Sequence, residues 1–459
     1  MSRRVLIAAV MILCVATLAT TLSAGAETPA QREARMKWWT DARFGMFIHW
    51  GLYALPARHE WVKNHEKITD EAYQKYFDRF DPDLYNPREW ARAAKNAGMR
   101  YIVITSKHHE GFCLWDSKYT DYKAPNTPAG RDLLKPLVEA ARAEGLKIGF
   151  YYSLLDWHNP NYTVDSCHPM WGNKDFMEKA KNRDFSKYQE YLYNQVKELM
   201  TEFGTIDVLF MDFSFPGKDG KGRNDWQSEK LIKMIRELQP GIIVDDRLDL
   251  LDVPGGWDYR TPEQEMPTDW VTVDGKPVPW ETCQTFSGSW GYYRDETSWK
   301  SVHQLIGMLI ETVSKGGNLI LNVGPTARGT FDKRAMDRLQ GMGEWMKVNN
   351  RSIYGCTQAP AEFKTPKDCL LTYNTAAKRL YVHVLSWPID VLRLEGYAGK
   401  VKYAQLLHDA SEIRYTEEGA EPAAAAAGGK GAKPANVLTL QLPIAKPDVE
   451  IPVIELFLK

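Results

Sequence analysis

The sequence has almost no net charge and few cysteines. Its 58 lysine and arginine residues nearly balance 59 aspartate and glutamate residues, which leaves a net charge of −1. Because no long Lys/Arg block accompanies this balance, the composition argues against a nucleic-acid partner. The cysteines, at positions 14, 113, 167, 283, 356 and 369, show neither the spacing of a zinc site nor a disulfide framework. In an exported protein, Cys356 and Cys369 would be the candidate disulfide pair.

The first 26 residues have the pattern of a secretory signal peptide. Arg3 and Arg4 precede the uncharged apolar run Val5–Leu22, and residues 24–26 supply the small side chains of a cleavage site. We therefore expect export, either to the periplasm or to the medium. No membrane partner is expected once this segment has been removed.

What the chain does contain is a series of apolar runs that end in polar side chains. The runs and their polar ends are Phe44–Gly51 with His49, Tyr101–His109 with His108 and His109, Ile148–Trp157 with Tyr152 and Asp156, Val208–Phe213 with Asp212, and Gly241–Arg247 with Asp246 and Arg247. Helical stretches separate the runs, which predicts an α/β fold with parallel strands. In a closed (β/α) barrel the carboxyl ends of the strands form one rim, where active sites lie.

The organisation of the chain changes near residue 355. Before it, amphipathic helices are predicted at Pro87–Ala97, Leu133–Glu144, Tyr188–Glu202, Glu229–Leu238, Val302–Lys315 and Arg334–Val348. After it, strands are predicted at Leu380–Leu385, Val391–Leu394, Val437–Leu442 and Val449–Leu458, as in a small antiparallel sandwich. The stretch 420–435, rich in Ala, Gly and Pro, is interpreted as a mobile loop between two of these strands. The expected domains are 27–355 and 356–459.

Carboxyl groups are the main candidates for chemistry at the rim. Asp212 closes the very apolar run 208–211, where a carboxylate is either hydrogen-bonded structure or a working group. Four further glutamates lie in irregular, aromatic-flanked segments, at positions 60, 263, 265 and 281. Glycoside hydrolysis needs two carboxyl groups, one to attack or to activate water and one to protonate the leaving oxygen. The sequence is also rich in aromatic residues, with 16 Trp and 22 Tyr, whose flat faces can pack against a sugar ring.

Eight motifs occur in the order found in one known family. They are Phe44 to Gly51, Lys107 to Phe112, Tyr151-Tyr152-Ser153, Leu209 to Asp212, Asp246-Arg247, Thr261 to Gln264, Ser289 to Tyr292, and Gly316 to Pro325. Together they resemble the α-L-fucosidases of glycoside hydrolase family 29. The resemblance implies a (β/α)8-like barrel followed by a β-sandwich, and hydrolysis of terminal α-L-fucose with retention through a covalent fucosyl-enzyme. It implies no metal and no other cofactor, and a fucosylated oligosaccharide or glycoconjugate as substrate.

The resemblance also implies roles for individual residues. Asp212 matches the nucleophile of the family, and Glu263 in Thr261-Pro262-Glu263-Gln264 is favoured as the general acid, with Glu281 as the main rival and Glu265 as a lesser one. The residues expected to grip the sugar are His49, Glu60, Trp61, His108, His109, Tyr152 and Arg247. Tyr151 is the less favoured alternative to Tyr152 for this role. The family often has Trp where this chain has Phe210, so the pocket wall is expected to differ there.

Two other functions are compatible with parts of the pattern. A metal-dependent barrel hydrolase could use His49, His108, His109, His158 and Asp212 as ligands, although the first strand lacks a His-x-His pair at its end. A non-catalytic sugar-binding relative could keep the barrel without turnover. Because Asp212 and the candidate glutamates are all present, the sequence favours the enzyme.

Overall fold

The computed structural model describes residues 27–419 and 436–459 of the chain. Its α-helices are α1 (Pro29–Ala42), α2 (Val62–His65), α3 (Asp70–Phe77), α4 (Pro87–Asn96), α5 (Leu134–Ala143), α6 (Lys174–Ala180), α7 (Phe185–Glu202), α8 (Arg223–Trp226), α9 (Ser228–Leu238), α10 (Val302–Ser314) and α11 (Lys333–Asn349). Its strands are β1 (Phe44–Ile48), β2 (Tyr101–Lys107), β3 (Lys147–Ser153), β4 (Val208–Asp212), β5 (Ile243–Val244), β6 (Thr272–Val273), β7 (Lys276–Pro277), β8 (Glu281–Thr285), β9 (Asn318–Val323), β10 (Cys369–Asn374), β11 (Arg379–Val384), β12 (Val391–Glu395), β13 (Val401–Leu406), β14 (Tyr415–Glu418), β15 (Val437–Gln441) and β16 (Val453–Leu458). The predicted helices and strands are all present, with ends shifted by a few residues.

Side-chain caps explain where two of the predicted helices begin. Asn86 precedes Pro87, and its side chain accepts hydrogen bonds from the backbone N–H groups of Arg88 and Glu89 at the start of α4. Asp132 accepts hydrogen bonds at 2.8 Å from the two N–H groups at the start of α5. Both caps satisfy donors that have no partner inside the helix.

Seven parallel strands form a curled sheet in the order β5-β4-β3-β2-β1-β9-β8. Their residues are buried on both faces, which is why continuous apolar runs mark them in the sequence. The irregular segment 258–264 fills the gap between β5 and β8. The N–H of Asp258 donates to Val244 O at 2.7 Å, and the N–H of Gln264 donates to Cys283 O at 3.0 Å. The seven strands and this segment form the (β/α)8-like barrel that was predicted.

Alternate residues of each barrel strand face two different cores. One set fills the lumen of the barrel, where Phe47, Tyr151 and Phe210 pack together. The other set, which includes Tyr152 and Met211, packs beneath the surrounding helices. Because side chains alternate along a strand, a shift of one residue decides whether a side chain reaches the lumen or the helix layer.

The C-terminal strands form a sandwich of two antiparallel sheets, as predicted. Their orders are β10-β11-β16-β13 and β12-β15-β14, and both sheets contribute to one apolar core. The predicted insertion 420–435 lies outside the described residues, but its flanking strands β14 and β15 pair with each other. The last strand begins at Val453 rather than Val449, directly after Pro452, which has no N–H to donate to a neighbouring strand.

The expected disulfide is wrong. Cys356 and Cys369 are both free thiols, as are the other three cysteines of the described residues. The Cys356 thiol is buried, and its Sγ donates a hydrogen bond to Arg351 O at 3.3 Å. In the described ranges, no helix has the length and apolar character needed to cross a membrane.

Candidate active site

Asp212 stands at the carboxyl end of β4, and both of its oxygens are held. Its Oδ2 accepts a hydrogen bond from the Tyr151 hydroxyl at 2.6 Å, and its Oδ1 accepts one from Arg247 Nη1, also at 2.6 Å. Burial raises the pKa of Asp212, but the Arg247 guanidinium and these hydrogen bonds outweigh burial and leave the pKa below its usual value. The carboxylate is therefore ionised near neutral pH and fixed in orientation.

Arg247 connects Asp212 to a second carboxylate. Its Nη2 donates to Glu263 Oε2 at 2.8 Å, so one guanidinium binds Asp212 and Glu263 together. Arg247 is itself positioned by Thr261, whose Oγ1 accepts from Nε at 2.9 Å and donates to Asp246 Oδ1 at 2.7 Å. Glu263 reaches this rim because it lies on the segment that closes the barrel, where it pairs with Cys283 of β8.

The two carboxylates have different surroundings. The Asp212 side chain is 10% exposed, whereas that of Glu263 is 45% exposed. A glycosidase uses two carboxyl groups whose environments differ, and Asp212 is the one held ionised here.

His49 follows β1 and presents one free nitrogen to the site. Its Nδ1 lies 2.7 Å from Asn322 Oδ1, and the Asn322 amide nitrogen donates to Trp290 O at 2.6 Å. Because an amide oxygen can only accept, Nδ1 carries the proton and Nε2 is left as an acceptor. Burial lowers the pKa of His49 to about 4, so the ring is neutral at neutral pH.

His109 has the same tautomer for a similar reason. Its Nδ1 lies 2.6 Å from Ser153 Oγ, and that hydroxyl donates to Leu155 O, so Nδ1 must donate to it. Burial lowers the pKa of His109 to about 3. His109 is thus a neutral neighbour of Asp212, with 3.9 Å between Nε2 and Oδ2, which is too long for a hydrogen bond.

The ring of His108 packs against two other rings of the site, those of Tyr151 and His49. Its ring lies 5.6 Å from that of Tyr151 and 5.5 Å from that of His49. Burial lowers its pKa well below the usual value, and its Nδ1 is buried without a hydrogen-bond partner in the residues that the structure describes. Adjacent His108 and His109 both reach the site because they follow the end of β2, where the alternation of strand side chains no longer applies.

Glu60 is buried and anchored through one of its two oxygens. Its Oε2 accepts the backbone N–H groups of Trp290 at 3.1 Å and Gly291 at 2.8 Å. His59 Nδ1 lies 3.3 Å from Oε1, but that nitrogen already accepts the N–H of Trp61 and has no proton to give. Oε1 is consequently buried without a partner in the described part of the chain, and it can accept a ligand hydroxyl.

Aromatic rings from three segments line the site. The Trp61 ring lies 5.0 Å from that of His109 and 5.4 Å from that of Phe213. Phe210, in place of the expected Trp, stacks on Tyr151 at 5.7 Å and lies under the Arg247 guanidinium at 5.0 Å. Apolar faces beside neutral imidazoles suit a ligand that has both C–H and hydroxyl groups.

The prediction that Tyr152 binds in the pocket is corrected by the structure. Tyr152 faces the helix layer, where its hydroxyl donates to Gln195 Oε1 at 2.8 Å. Tyr151 faces the lumen because it pairs with Phe210 of β4, two residues before Asp212. The residue at the site is therefore Tyr151.

Glu281 is also placed away from the site. It is the first residue of β8, at the amino end of the barrel, whereas Asp212 is the last residue of β4. Glu281 is fully buried, accepts a hydrogen bond from the Tyr101 hydroxyl, and has its pKa raised by burial to about 8. A residue at that end of the lumen cannot protonate a group bound at the opposite rim.

Glu265 and His158, the remaining candidates from the sequence, lie apart from the residues around Asp212. Glu265 is exposed, and only its backbone oxygen takes part in hydrogen bonds, from Thr282 and Gln284. His158 stacks on Tyr122 at 3.7 Å and lies near Asp70 rather than with the other histidines. Over the described ranges, no three His, Cys, Asp or Glu side chains are grouped as metal ligands.

Sequence reasoning assigned no role to Asn322, Ser153 or Thr261. Asn322 and Ser153 fix the tautomers of two histidines, and Thr261 holds Arg247. All three lie inside the motifs noted above, so the motifs located them. Their partners are far away in sequence, however, and only the fold brings them together.

Comparisons with known proteins give one consistent result. The family model described as Alpha-L-fucosidase matches residues 13–351. The chain is similar to the structure of alpha-L-fucosidase isoenzyme 1 from Paenibacillus thiaminolyticus, with 45% identity, a TM-score of 0.85, and coverage of 93% of this chain and 99% of that one. It is 29% identical, with a TM-score of 0.77 and coverage of 95% and 98%, to a GH29 alpha-L-fucosidase from Bacteroides thetaiotaomicron trapped as a covalent intermediate. Alpha-L-fucosidase from Dictyostelium discoideum is 31% identical over 384 residues, which is 77% of this chain and 78% of that protein.

Proposed function

We propose that this chain, which belongs to the α-L-fucosidase family (glycoside hydrolase family 29), releases terminal α-L-fucose from fucosylated oligosaccharides or glycoconjugates, with Asp212 as nucleophile and Glu263 as general acid and base. The observation that carries these roles is the Arg247 guanidinium, which binds both carboxylates at once. It brings the two groups to one rim of the barrel, as a retaining double displacement requires.

In the first step, Asp212 attacks the anomeric carbon of fucose. The bond between that carbon and the glycosidic oxygen breaks, Glu263 gives its proton to the departing oxygen, and a fucosyl ester forms on Asp212. The lowered pKa of Asp212 keeps it ionised for this attack. Tyr151 and Arg247 hold its two oxygens in place.

In the second step, water hydrolyses the ester. Glu263, now ionised, accepts a proton from the water as it attacks the anomeric carbon, and Asp212 departs as a carboxylate. Two inversions at the same carbon give net retention. The exposure of Glu263, at 45%, is consistent with water reaching it from the open side of the site.

The remaining residues bind the sugar. Nε2 of His49 and of His109 are free acceptors on neutral rings, and Oε1 of Glu60 is a free, buried acceptor. Acceptors of this kind match the hydroxyl donors of fucose. Trp61 and Phe213 supply apolar faces for its C–H groups and methyl.

Trapping the intermediate tests the nucleophile. Incubation with 2-fluoro-fucosyl fluoride is expected to inactivate the enzyme with time and to add one 2-fluorofucosyl group to the peptide that contains Asp212, as read by mass spectrometry. The fluorine at C2 slows hydrolysis of the ester more than its formation when the departing group is fluoride. A label on any other peptide would contradict the assignment.

Rescue by azide tests the acid. General acid help is typically worth about 10²–10⁴-fold. Glu263→Ala should therefore lose most activity on natural fucosides but still form the ester from a dinitrophenyl fucoside. Added azide should restore turnover and give a fucosyl azide with the anomeric configuration of the substrate. Glu265→Ala is the matched control, because Glu265 lies two residues away and is exposed. Rescue of the control variant, and not of Glu263→Ala, would refute the role of Glu263.

Export is a separate proposal, supported by the signal-like pattern of residues 1–26. These residues lie outside the described part of the chain. Protein recovered from the periplasm or the medium of the source cell is expected to begin at Glu27. If active protein is instead found inside the cell with residues 1–26 still attached, the proposal of export is wrong.

A further inference from the structure

A cavity of about 420 Å³ opens beside Asp212, between the loops that follow β4 and β5. Phe213, Phe215, Asp249 and Leu251 are among the residues that line it. Asp212, Phe213 and Arg247 line this cavity and also belong to the fucose pocket, whereas the histidines, Glu60, Trp61 and Tyr151 do not line it. The cavity therefore continues the fucose pocket on the side of the β4 and β5 loops.

Two residues next to the general acid line this cavity, although Glu263 itself does not. Arg247 lines the cavity and holds Glu263 at 2.8 Å. Thr261, two residues before Glu263, lines it as well. Because the acid delivers its proton to the oxygen that departs, the group attached to that oxygen must extend into the neighbouring space.

Local contacts hold the wall formed by Phe213 and Phe215. Phe213 has a positive φ of 80°, which is rare for a bulky residue, and its ring packs edge-on against Phe215 at 5.5 Å. The N–H of Phe215 donates to Lys221 O at 2.9 Å, and Lys221 is held by Asp165 at 2.6 Å. Contacts that position these rings before binding reduce the entropy lost when a ligand packs on them.

The lining combines apolar surface with negative charge. Phe215 and the 43% exposed Leu251 offer apolar contact. The positive charge of Arg247 offsets that of Asp212, and Asp246 is paired with Arg260.

Asp249 makes no ion pair with the described residues. Its Oδ2 accepts only the backbone N–H of Arg223, at 3.3 Å, so its charge is not compensated. The cavity is therefore anionic overall.

We infer that this cavity binds the leaving group and that it takes a neutral pyranose. The C–H face of the pyranose packs on Phe215 and Leu251, and one hydroxyl donates to Asp249. Leaving groups that carry sulfate or carboxylate are repelled by the uncompensated charge. This inference rests on the proposed function, since it assumes that Asp212 and Glu263 cleave a fucoside.

A pair of leucine variants tests the apolar contact. The measured quantity is the ratio of kcat/KM on a neutral fucosyl disaccharide to kcat/KM on α-L-fucosyl fluoride, whose departing fluoride does not occupy the cavity. Leu251→Ala should lower this ratio about five- to tenfold, from the lost apolar contact. Leu238→Ala is the matched control, because Leu238 is similarly exposed, at 37%, and lies at the end of α9.

An unchanged ratio in Leu251→Ala overturns the inference. An equal loss on both substrates overturns it too, because Leu251 would then support the fucose site instead. These outcomes differ from failure of the proposed function, in which the unaltered enzyme would hydrolyse neither substrate.

A charge variant tests the choice of a neutral sugar. Asp249→Asn should raise kcat/KM on a disaccharide sulfated on the leaving sugar, relative to the neutral one, by about fivefold or more at low ionic strength, and less at high salt. If the variant leaves this ratio unchanged at low salt, Asp249 does not select against anionic leaving groups and this part of the inference is wrong.

Discussion

Tyr151 and Tyr152 are neighbours in sequence, but they face opposite sides of β3, and this makes them a matched pair of variants. Tyr151→Phe removes the hydroxyl that donates to Asp212 Oδ2 at 2.6 Å. Tyr152→Phe removes the hydroxyl that donates to Gln195 Oε1 at 2.8 Å. Both substitutions delete one buried hydroxyl and keep the aromatic ring.

The kinetic effect of Tyr151→Phe follows from the charge of its partner. A hydrogen bond to an ionised group is worth about 1.5–3 kcal/mol, so kcat/KM should fall roughly 10- to 150-fold. Without this donor the ionised form of Asp212 is less stable, so its pKa rises. The acidic limb of the kcat/KM profile should then move to higher pH by about one to two units, since one pKa unit corresponds to about 1.4 kcal/mol.

Tyr152→Phe should affect folding and not turnover. The loss leaves Gln195 Oε1 buried without its donor, which costs about 1–3 kcal/mol of unfolding free energy. Urea unfolding measures this loss, and a full pH profile on an aryl fucoside measures activity. The reasoning is refuted if Tyr151→Phe stays within twofold of the unaltered enzyme at every pH, or if Tyr152→Phe moves the acidic limb.

Three further predictions concern buried groups. Burial raises the pKa of Glu281 from 4.5 to about 8, so the folded chain keeps a proton that the unfolded chain has lost, and stability should fall as pH rises between these values by up to about 1.4 kcal/mol per pH unit. Glu281→Gln should remove this slope while activity remains, and an unchanged slope in urea titrations would contradict it. Thiol titration of the denatured mature protein should find five thiols, whereas three would mean that Cys356 and Cys369 are bonded. Asn322→Ala removes the acceptor that fixes the tautomer of His49, and kcat/KM should fall about tenfold; an unaltered value would refute this role.

Much of the fold and part of the site could be predicted from the sequence, because they depend on local patterns. Apolar runs that end in polar residues located the barrel strands, and Asn86 and Asp132 marked helix starts through the caps that they form. Asp212 could be identified because a carboxylate closes an apolar run, and a residue at the carboxyl end of a parallel strand lies on the rim. The order of the motifs then indicated the family.

The sequence could not decide between Tyr151 and Tyr152. Strand β3 is buried on both faces, so no alternation of polar and apolar residues reveals which side chain faces the lumen. Pairing of Tyr151 with Phe210 settles the direction, and this pairing depends on how β3 and β4 lie beside each other.

The choice between Glu263 and Glu281 likewise depends on tertiary structure. Both glutamates lie in aromatic-flanked or Pro-containing segments, and local sequence does not tell which end of the barrel each one occupies. Glu281 begins β8 and is sealed in the lumen against Tyr101. Glu263 is carried to the rim by an irregular segment that completes the barrel, where it meets Arg247. The sequence determined the residue types and the approximate strand positions. The meeting of Asp212, Arg247 and Glu263 depends on tertiary structure, because β4 pairs with β5 and the segment 258–264 lies between β5 and β8.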